Sequence, residues 1–265
     1  MANTYKDVIY EEKGTTATIT INRPEVLNAF RSSTYDEVID ALLRAGYNKR
    51  IAAIVLTGAG DRAFGVGGDT NEPKTSRKGG YGAVGVPVEK LQSTIRDVPK
   101  PVIAKIRGYA IGGGHVMATI CDLTIAGKSA VFGQVGPKIG SVDPGFGTAY
   151  LARIIGEKRA REFWYMCRRY TAEQAYAMGL VNAVVPDEEL DAEVDRWCAE
   201  LAERSPTAIA LAKRSFNADS ENLRGICSLG FEALALYYQS DEAKEAAQAR
   251  REKRPPRFYE APEED

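Results

Sequence analysis

The sequence predicts an α/β fold with a helical C-terminal extension, and two observations support this. Short apolar or alternating runs typical of strands recur at residues 16–21, 51–58, 100–108 and 181–185, with helical patterns between them. From about residue 187 onward the chain has an almost entirely helical pattern. Repeated strand–helix alternation followed by a helical block is typical of an α/β domain with a helical appendage.

Each element has its own local signal. Residues 16–21, "TATITI", alternate polar and apolar side chains as a half-exposed strand does, and apolar side chains recur at helical spacing over 34–46. "IAAIVLTG" and "KPVIAKIRG" are short apolar runs, typical of strands buried on both faces. The same helical spacing predicts a helix around Leu91 and Ile95. Further strands are predicted at "LTIAG", "AVFG" and "VNAVV", and further helices at about 147–155, 158–168 and 172–178.

The composition narrows the class of protein. The chain has 265 residues, 44% apolar and 27% charged, as globular domains have, and its net charge of −1 disfavours nucleic acid as the main partner. Its first residues carry no signal-peptide pattern, and its apolar runs are too short to cross a membrane. The four cysteines lie far apart in sequence, which disfavours a zinc site or a disulfide framework. We therefore expect a cytoplasmic protein.

A single histidine, His115, limits the possible chemistry. One histidine cannot form a histidine-cluster metal site, and a Ser–His–Asp or Cys–His arrangement would depend on His115 alone. Because His115 begins an apolar helix, we expect it to be a packed residue. Neither a dinucleotide-binding nor a P-loop glycine pattern is present in the sequence. We expect no metal and no redox cofactor, with acid–base chemistry carried by Asp, Glu, Tyr, Lys or water.

Two glycine-rich loops each follow a predicted buried strand, "AFGVGGD" at 63–69 and "YAIGGGH" at 109–115. Glycines let a ligand approach the backbone closely, and the second loop opens a helix whose first N–H groups have no intrahelical partner. Two such donors converging on one point would stabilise an oxyanion. Tight packing of strand against helix explains the same glycines, so glycine content alone leaves both interpretations open.

The stretch "GQVGPKIGSVDPGFGT", residues 133–148, poses a similar choice. Asp followed by Pro is common in turns, so Asp143 has a purely structural interpretation. A carboxylate that faces a ligand pocket would instead serve as a general base. Ser141 likewise either caps the turn or contacts a substrate.

Five segments together resemble the crotonase, or enoyl-CoA hydratase/isomerase, superfamily: "NRPEVLNAF", "TGAGDRAFGVGGD", "IRGYAIGGGHVMATICDLTIA", "FGQVGPKIGSVDPGFG" and "AREFWYMCRRYTAEQAYAMGLVNAVVP". The match keeps its order and spacing from about residue 8 to the C-terminus. It implies a crotonase (ClpP/crotonase-like) fold of repeated ββα units. The resemblance divides the chain into a core domain, 1–200, and a helical region, 201–265, that serves oligomerisation and covers the active site. It also implies an acyl-CoA substrate and a homo-oligomer, either a trimer or a dimer of trimers.

The resemblance also implies roles for single residues. The N–H groups of Gly68 and Gly113 would hold the thioester oxygen and stabilise an enolate. Hydratases of this superfamily carry two catalytic glutamates, and this chain has Val116 and Gly136 at those positions. Water addition to a double bond is therefore not expected. Further acyl-CoA contacts are implied at Val26, Leu27, Ala29, Val66, Gly67, Asp69, Thr70, Tyr109, Ile111, Gly112, Val135 and Gly136.

The segment "GPKIGSVD" resembles two sister groups instead, the 2-ketocyclohexanecarboxyl-CoA hydrolases and the 1,4-dihydroxy-2-naphthoyl-CoA synthases. Ser141 and Asp143 fall on the catalytic Ser–x–Asp of the synthase pattern. Tyr81 lies near the position of a substrate-binding tyrosine. Tyr238 matches a C-terminal tyrosine that in that group comes from a neighbouring subunit, and Lys253 matches a lysine that contacts CoA.

The residues around Asp143 favour the hydrolase group. The synthases typically have Gly or Ala, then Gly and an aromatic residue, after this aspartate, where this chain has "PGF". Some synthases bind bicarbonate at the position of Gly136. Val135 replaces a threonine common in those synthases, which disfavours bicarbonate here.

These resemblances favour hydrolytic, retro-Claisen cleavage of a cyclic β-ketoacyl-CoA, with 2-ketocyclohexane-1-carboxyl-CoA converted to pimelyl-CoA as the leading reaction. Asp143 would activate water, and Tyr81 or Tyr238 would polarise the ketone or reprotonate the enolate. One alternative is 1,4-dihydroxy-2-naphthoyl-CoA synthase, which condenses o-succinylbenzoyl-CoA. The other is a non-catalytic acyl-CoA- or RNA-binding homologue. Ring size, ring substituents and the choice between trimer and hexamer stay open.

Overall fold

Ten strands form two sheets in the part of the chain that the structure describes. The computed structural model describes residues 5–72 and 83–259. The strands are β1 (Val8–Lys13), β2 (Thr16–Ile21), β3 (Ala53–Gly58), β4 (Ala63–Gly65), β5 (Val102–Ile106), β6 (Tyr109–Ile111), β7 (Leu123–Gly127), β8 (Val131–Gly133), β9 (Arg169–Thr171) and β10 (Ala183–Val185). The larger sheet has the order β1-β2-β3-β5-β7-β10 and the smaller one β4-β6-β8-β9. Neighbouring strands are parallel, except that β1 is antiparallel to β2 and β8 to β9.

Helices connect and cover these strands. They are α1 (Ser32–Tyr47), α2 (Val88–Asp97), α3 (Gly113–Ile120), α4 (Gly136–Ile139), α5 (Leu151–Ile155), α6 (Glu157–Met166), α7 (Ala172–Ala177), α8 (Leu190–Ala202), α9 (Pro206–Asp219), α10 (Asn222–Tyr237) and α11 (Asp241–Arg251). A short π-helical turn, Phe146–Tyr150, precedes α5. No helix within the described ranges is long and apolar enough to cross a membrane.

The larger sheet is covered on both faces, which explains its continuous apolar runs. Along β3, Ile54 and Leu56 belong to the main core, to which α1 and α2 contribute apolar side chains. The alternate residues Ala53 and Val55 pack in a second cluster with Leu190 and other side chains of α8. Successive strand residues point to opposite faces, so a strand between two helical layers needs apolar side chains at every position.

The α/β prediction is confirmed, and most predicted elements lie within a few residues of their observed bounds. The strand predicted over 16–21 is β2, and the helix predicted over 34–46 is α1. The helix predicted from about 147 begins differently, because Tyr150 N–H donates to Gly145 O and makes the first turn π-helical. The four strands of the smaller sheet have three residues each, too short for a periodic signal. The predicted boundary between core and C-terminal region stays a prediction.

Candidate active site

Three parallel strands of the smaller sheet end at one edge, and the predicted glycine loops start there. Because β4, β6 and β8 are parallel, their C-terminal ends lie side by side. Residues 66–68 follow β4, Gly112 and Gly113 follow β6, and 134–136 follow β8. Ligands of parallel α/β sheets usually bind at the carboxyl ends of the strands. This edge is therefore the first place to look for a site.

The backbone of Phe30 fixes the first glycine loop. Phe30 N–H donates to Gly67 O at 2.8 Å, and Asp69 N–H donates to Phe30 O at 2.7 Å. The Gly68 N–H lies between these two bonds and donates to no acceptor within the described residues. A Cβ atom placed on Gly68 would meet nothing within 4 Å. Gly68 thus presents an available N–H donor beside open space.

The second donor comes from the start of α3. Gly113 is the first residue of this helix, so its N–H has no intrahelical acceptor. Gly67 has a φ of +86°, and a Cβ atom there would lie 2.9 Å from Gly113 N. The two loops therefore touch through glycines, and a side chain on either would force them apart. The two touching loops therefore carry backbone N–H donors of the kind from which an oxyanion hole is built.

The chain segment after β8 connects this edge to Asp143. Gly112 N–H donates to Gly133 O at 3.0 Å, and a Cβ on Gly112 would lie 3.5 Å from Val135 Cγ2. From Val135 the chain continues through the short helix α4 into the turn that carries Asp143. The loop of the candidate base therefore starts where the glycine loops meet.

Trp164 of α6 supports the turn around Asp143. Its indole Nε1–H donates to Gly147 O at 2.6 Å. A Cβ on Gly147 would lie 2.8 Å from Asp143 Cβ and 3.1 Å from the Trp164 ring. A Cβ on Gly136 would lie 2.4 Å from Ser141 O and 2.8 Å from the same ring. These glycines let the turn pack directly on the indole.

The second support of the turn is α10. A Cβ on Gly145, which has a φ of +76°, would lie 2.8 Å from Cys227 Cβ. A Cβ on Gly230, one turn along α10, would lie 2.3 Å from Pro144 Cβ. Both contacts depend on a missing side chain. The "DPG" segment is therefore held between α6 and α10 and presents Asp143 in a fixed direction.

Among the described residues, only uncharged groups donate hydrogen bonds to Asp143. Gln92 Nε2 of α2 lies 3.2 Å from Oδ1 and 3.0 Å from Oδ2, and the Gly147 N–H is a further donor. Burial of the carboxyl group raises the pKa of Asp143 to about 7, against the lowering effect of these two donors. The carboxyl is surrounded by protein atoms, although the residue as a whole keeps some exposure. A carboxylate with this pKa can exchange protons near neutrality.

Ser141 and Tyr238 lie together at the outer side of this turn. Their hydroxyl oxygens are 2.8 Å apart, and both belong to the same chain. The approach of Tyr238 to a neighbouring subunit's site, which the resemblance implied, stays a prediction. A cleft of about 430 Å³ opens beside Ser141. Its other lining residues are Pro137, Val142, Tyr237, Glu242, Phe258 and Tyr259.

Asp69 is a buried ion-pair partner. Arg23 Nη2 lies 2.9 Å from Asp69 Oδ2, and both side chains are about nine-tenths buried. Burial alone would raise the pKa of Asp69, but bonds from Asn71 N–H and from Arg23 outweigh it and leave the pKa below its usual value. Arg23 Nη1 also donates to Ala29 O at 2.6 Å. The Asp69 carboxylate therefore stabilises the loop that carries Gly68.

The other predicted contact residues lie in several different parts of the structure. Val26, Leu27 and Ala29 form the turn before Phe30, and Val66 and Thr70 flank the first glycine loop. Ile111 ends β6 at the glycine edge, whereas Tyr109 starts that strand at its far end, where Arg169 lies over its ring. Lys253 is exposed just after α11, and Tyr81 lies outside the described residues.

The residues at the two hydratase glutamate positions have no catalytic capacity. Val116 is fully buried in the main core, and Gly136 has no room for a Cβ atom. His115 is also fully buried, and burial lowers its pKa to about 3. Its Nδ1 is 3.0 Å from Gln134 Nε2, and its ring packs against Phe163. No group of three His, Cys, Asp or Glu side chains in the described part of the chain could hold a metal ion.

Sequence reasoning missed three residues around Asp143. Gln92 and Trp164 occupy helix faces whose periodicity indicates only burial, and Cys227 lies 84 residues beyond the turn, on α10. None carries a motif of its own. Only the three-dimensional packing of α2, α6 and α10 brings them to Asp143.

Comparisons with known proteins identify the family of this chain. The family model described as enoyl-CoA hydratase/isomerase matches residues 11–261. A structure titled enoyl-CoA hydratase from Mycobacterium avium subsp. paratuberculosis K-10 is 29% identical, with 97% of this chain and 100% of that chain covered and a TM-score of 0.84. Enoyl-CoA hydratase subunit I from Geobacillus kaustophilus HTA426 is 32% identical, with 97% and 99% covered and a TM-score of 0.75. The fold is therefore crotonase-like, and this chain belongs to the enoyl-CoA hydratase/isomerase family.

Proposed function

We propose that this protein uses water to open the ring of a cyclic β-ketoacyl-CoA, and that 2-ketocyclohexane-1-carboxyl-CoA, giving pimelyl-CoA, is its substrate. The observation that carries the proposal is Asp143, a carboxylate with a pKa of about 7 whose donors within residues 5–72 and 83–259 are all uncharged. It lies in the loop that leaves the glycine edge, whereas both hydratase glutamates are missing. A single base suits attack of water on a ketone.

The proposed reaction begins when Asp143 accepts a proton from water, whose oxygen attacks the ring ketone. The resulting tetrahedral alkoxide collapses, and the bond between ring carbons C1 and C2 breaks. The electron pair passes to C1 as the enolate of the thioester, whose oxygen is held by the Gly68 and Gly113 N–H groups. Protonation of C1 completes the product, and the ketone carbon becomes a carboxylate. Each oxyanion donor is worth about 3 kcal/mol in other enzymes.

The Ser141–Tyr238 pair supplies the remaining proton chemistry in this proposal. The two hydroxyl groups share one hydrogen bond, so either can donate outward while accepting from the other. Such a pair can polarise the ketone oxygen or return a proton to C1. Tyr81 remains a second proposed donor, and it lies outside the described residues.

The same groups also fit a condensing enzyme, which is the second candidate function. A 1,4-dihydroxy-2-naphthoyl-CoA synthase forms a thioester enolate and carries out ring closure, the reverse type of step. The Ser141–Asp143 arrangement is the specific observation that keeps this candidate. A non-catalytic acyl-CoA- or RNA-binding homologue is the third, and it has no need of a base with a pKa near neutrality.

We also propose a homo-oligomer, a trimer or a dimer of trimers, that works without a metal or redox cofactor. Large apolar side chains are exposed on α9 and α10, among them Leu211, Phe216, Leu229 and Leu236. Light scattering should give the mass of a trimer or hexamer. A monodisperse and fully active monomer would refute the assembly. Activity restored by a divalent ion after chelation would refute the absence of a metal.

Mass spectrometry of products from three thioesters tests the proposed function. The panel is 2-ketocyclohexane-1-carboxyl-CoA, o-succinylbenzoyl-CoA and crotonyl-CoA. We expect only the first to react, gaining one water to give pimelyl-CoA. Loss of water from the second would establish the synthase, and hydration of the third would establish a hydratase. No turnover of any, with tight binding, would support the non-catalytic alternative.

A further inference from the structure

Two helices distant in sequence meet at the candidate base through a chain of two hydrogen bonds. The Cys227 thiol of α10 lies 3.2 Å from Gln92 Oε1, and Gln92 Nε2 contacts both oxygens of Asp143. Gln92 and Cys227 are 4% and 2% exposed, so water competes little for these bonds. Cys227 donates to Gln92 and Gln92 donates to Asp143, so the three side chains form one continuous hydrogen-bonded series.

The thiol and the carboxylate favour the same orientation of the Gln92 amide. A thiol donates a hydrogen bond, so it pairs with the amide oxygen Oε1 and leaves the NH₂ group directed at Asp143. The opposite orientation would place the amide oxygen against a carboxylate. It would also place the NH₂ group against the thiol. Cys227 is fixed in turn, because its Cβ packs on the turn at Gly145.

We propose that Gln92 is a positioning residue for Asp143, and that the Cys227 thiol fixes the direction in which the Gln92 amide points. The inference rests on the proposed function, in which Asp143 is the general base. The NH₂ group contacts both carboxylate oxygens and fixes the plane of the carboxylate. The remaining lone pairs are left for the water that attacks the substrate.

A neutral donor suits this role better than a cation. An arginine or lysine at position 92 would hold the carboxylate ionised and make it a weak base. An apolar residue would leave the buried charge with the Gly147 N–H donor but without the amide, and would shift Asp143 toward the protonated form. An amide lies between these extremes, because it orients the carboxylate and stabilises its charge only in part.

Few of the charged groups that the structure describes interact with Cys227, Gln92 or Asp143. From α10, the Cys227 thiol faces Asp143, and burial raises the pKa of the thiol to about 12, with the Asp143 charge adding to the effect. Glu89 of α2 and Arg224 of α10 interact with the thiol rather than with Asp143. The thiol therefore stays protonated over the working pH range and acts as a donor throughout.

The test replaces Gln92 by methionine, which keeps the length of the side chain and removes its donor. Two titrations are compared in the wild type and in Gln92→Met: kcat/KM against pH, and the carboxyl carbon of Asp143 followed by NMR with ¹³C-labelled aspartate. The Asp143 signal is identified by its loss in Asp143→Asn. We expect both titrations to move up by about one to two pH units, the usual worth of a hydrogen bond to a charged group. At pH 7 kcat/KM should fall about 5- to 50-fold, because about half of the wild-type carboxylate but only about a tenth to a hundredth of the variant's is ionised there, and it should recover in large part at higher pH.

Matched control variants distinguish a positioning role of Gln92 from a general disturbance of core packing. Gln134→Met makes the same change at another buried glutamine, whose amide contacts His115 instead, and should leave both titrations in place. Cys227→Ala should move them in the same direction as Gln92→Met but less far, whereas Cys227→Ser keeps a donor and should stay near the wild type. Cys198→Ala, a buried cysteine on the other face of the larger sheet, should move neither.

The outcomes distinguish this inference from the proposed function. Suppose that wild-type kcat/KM does not change with pH near 7 while Gln92→Met still moves the NMR titration. Asp143 is then not the base, but Gln92 does control the pKa of its carboxyl group. If wild-type kcat/KM falls below pH 7 and Gln92→Met leaves both titrations unchanged, the positioning role of Gln92 is wrong. An equal shift in Gln134→Met would also overturn it.

Discussion

Asp69 and Asp143 are two buried carboxylates near the same sheet edge, and their partners differ in charge. Asp69 pairs with the Arg23 guanidinium, which helps to hold its pKa below the usual value. Asp143 receives hydrogen bonds from Gln92 and Gly147, and burial raises its pKa to about 7. The difference teaches that burial alone does not define a catalytic carboxylate. A carboxylate given a cation stabilises a loop, whereas one given only neutral donors can exchange protons.

The largest expected effect comes from removing the Asp143 carboxylate, which has no cationic partner among the described residues. Asp143→Asn keeps the size of the side chain but cannot accept a proton at neutral pH. We expect kcat for 2-ketocyclohexane-1-carboxyl-CoA to fall about 10²–10⁴-fold, the usual worth of general-base catalysis. The KM should change far less, because the glycine donors remain. A variant that keeps more than about a tenth of wild-type kcat would return Asp143 to the status of a turn residue.

The next largest effect should come from loss of the Gly68 N–H donor, which lies in the loop that Asp69 stabilises. Gly68→Pro removes the N–H donor, whereas Gly68→Ala keeps it and places a methyl group where nothing lies within 4 Å. We expect kcat/KM to fall about 10²–10³-fold in the proline variant, as for loss of one oxyanion donor, and much less in the alanine variant. Steady-state kinetics of the two variants checks this. Equal losses in both would mean that space, rather than the donor, matters at Gly68.

The two aspartates should also differ in the sign of their effect on stability. Asp69→Asn removes the closer carboxylate of the buried Arg23, at 2.9 Å, and leaves only the Asp7 carboxylate at 4.0 Å, so it should reduce the free energy of unfolding by about 3 kcal/mol. Asp143→Asn removes a buried charge that has no cationic partner in the described part of the chain, and should raise Tm by about 2 °C or more. Calorimetry of both variants at pH 8 measures the difference. If Asp143→Asn lowers Tm as much as Asp69→Asn does, the two aspartates do not differ in the sign of their effect on stability.

The sign follows from the two pKa shifts. The pKa of Asp143 is about 7 in the folded chain, whereas an ordinary aspartate has a pKa near 3.8, so the folded state binds the extra proton between these pH values. Wild-type stability from this group therefore falls as pH rises from about 4 to 7, and the advantage of Asp143→Asn grows over the same window. The lowered pKa of Asp69 acts in the opposite sense, since its stabilisation is present above the unfolded pKa and is lost in acid.

The smallest effects should come from the hydroxyl pair. Tyr238→Phe and Ser141→Ala each remove one partner of a partly exposed hydrogen bond. We expect kcat to fall about three- to tenfold in each, the usual worth of one neutral hydrogen bond, and the double variant to lose little more than either single one. Additive losses in the double variant would mean that the two hydroxyl groups act separately.

Much of this arrangement could be predicted from the sequence, and the rest could not for physical reasons. Strand and helix periods predicted the larger sheet and its cover, because burial there follows regular spacing. The family resemblance predicted Gly68, Gly113 and Asp143. The pattern around Asp69 could not show its ion pair, since Arg23 lies 46 residues away in another loop. Gln92 and Cys227 stayed hidden because their role arises where α2 and α10 cross the turn.

The pH dependence of wild-type kcat/KM for 2-ketocyclohexane-1-carboxyl-CoA tests the central claim most directly. If Asp143 is the base, the rate constant should fall about tenfold per pH unit below an apparent pKa of about 7, because only the ionised carboxylate accepts the proton from water. A kcat/KM that stays constant from pH 5 to pH 8, with pimelyl-CoA still formed, would contradict the assignment of Asp143 as the base.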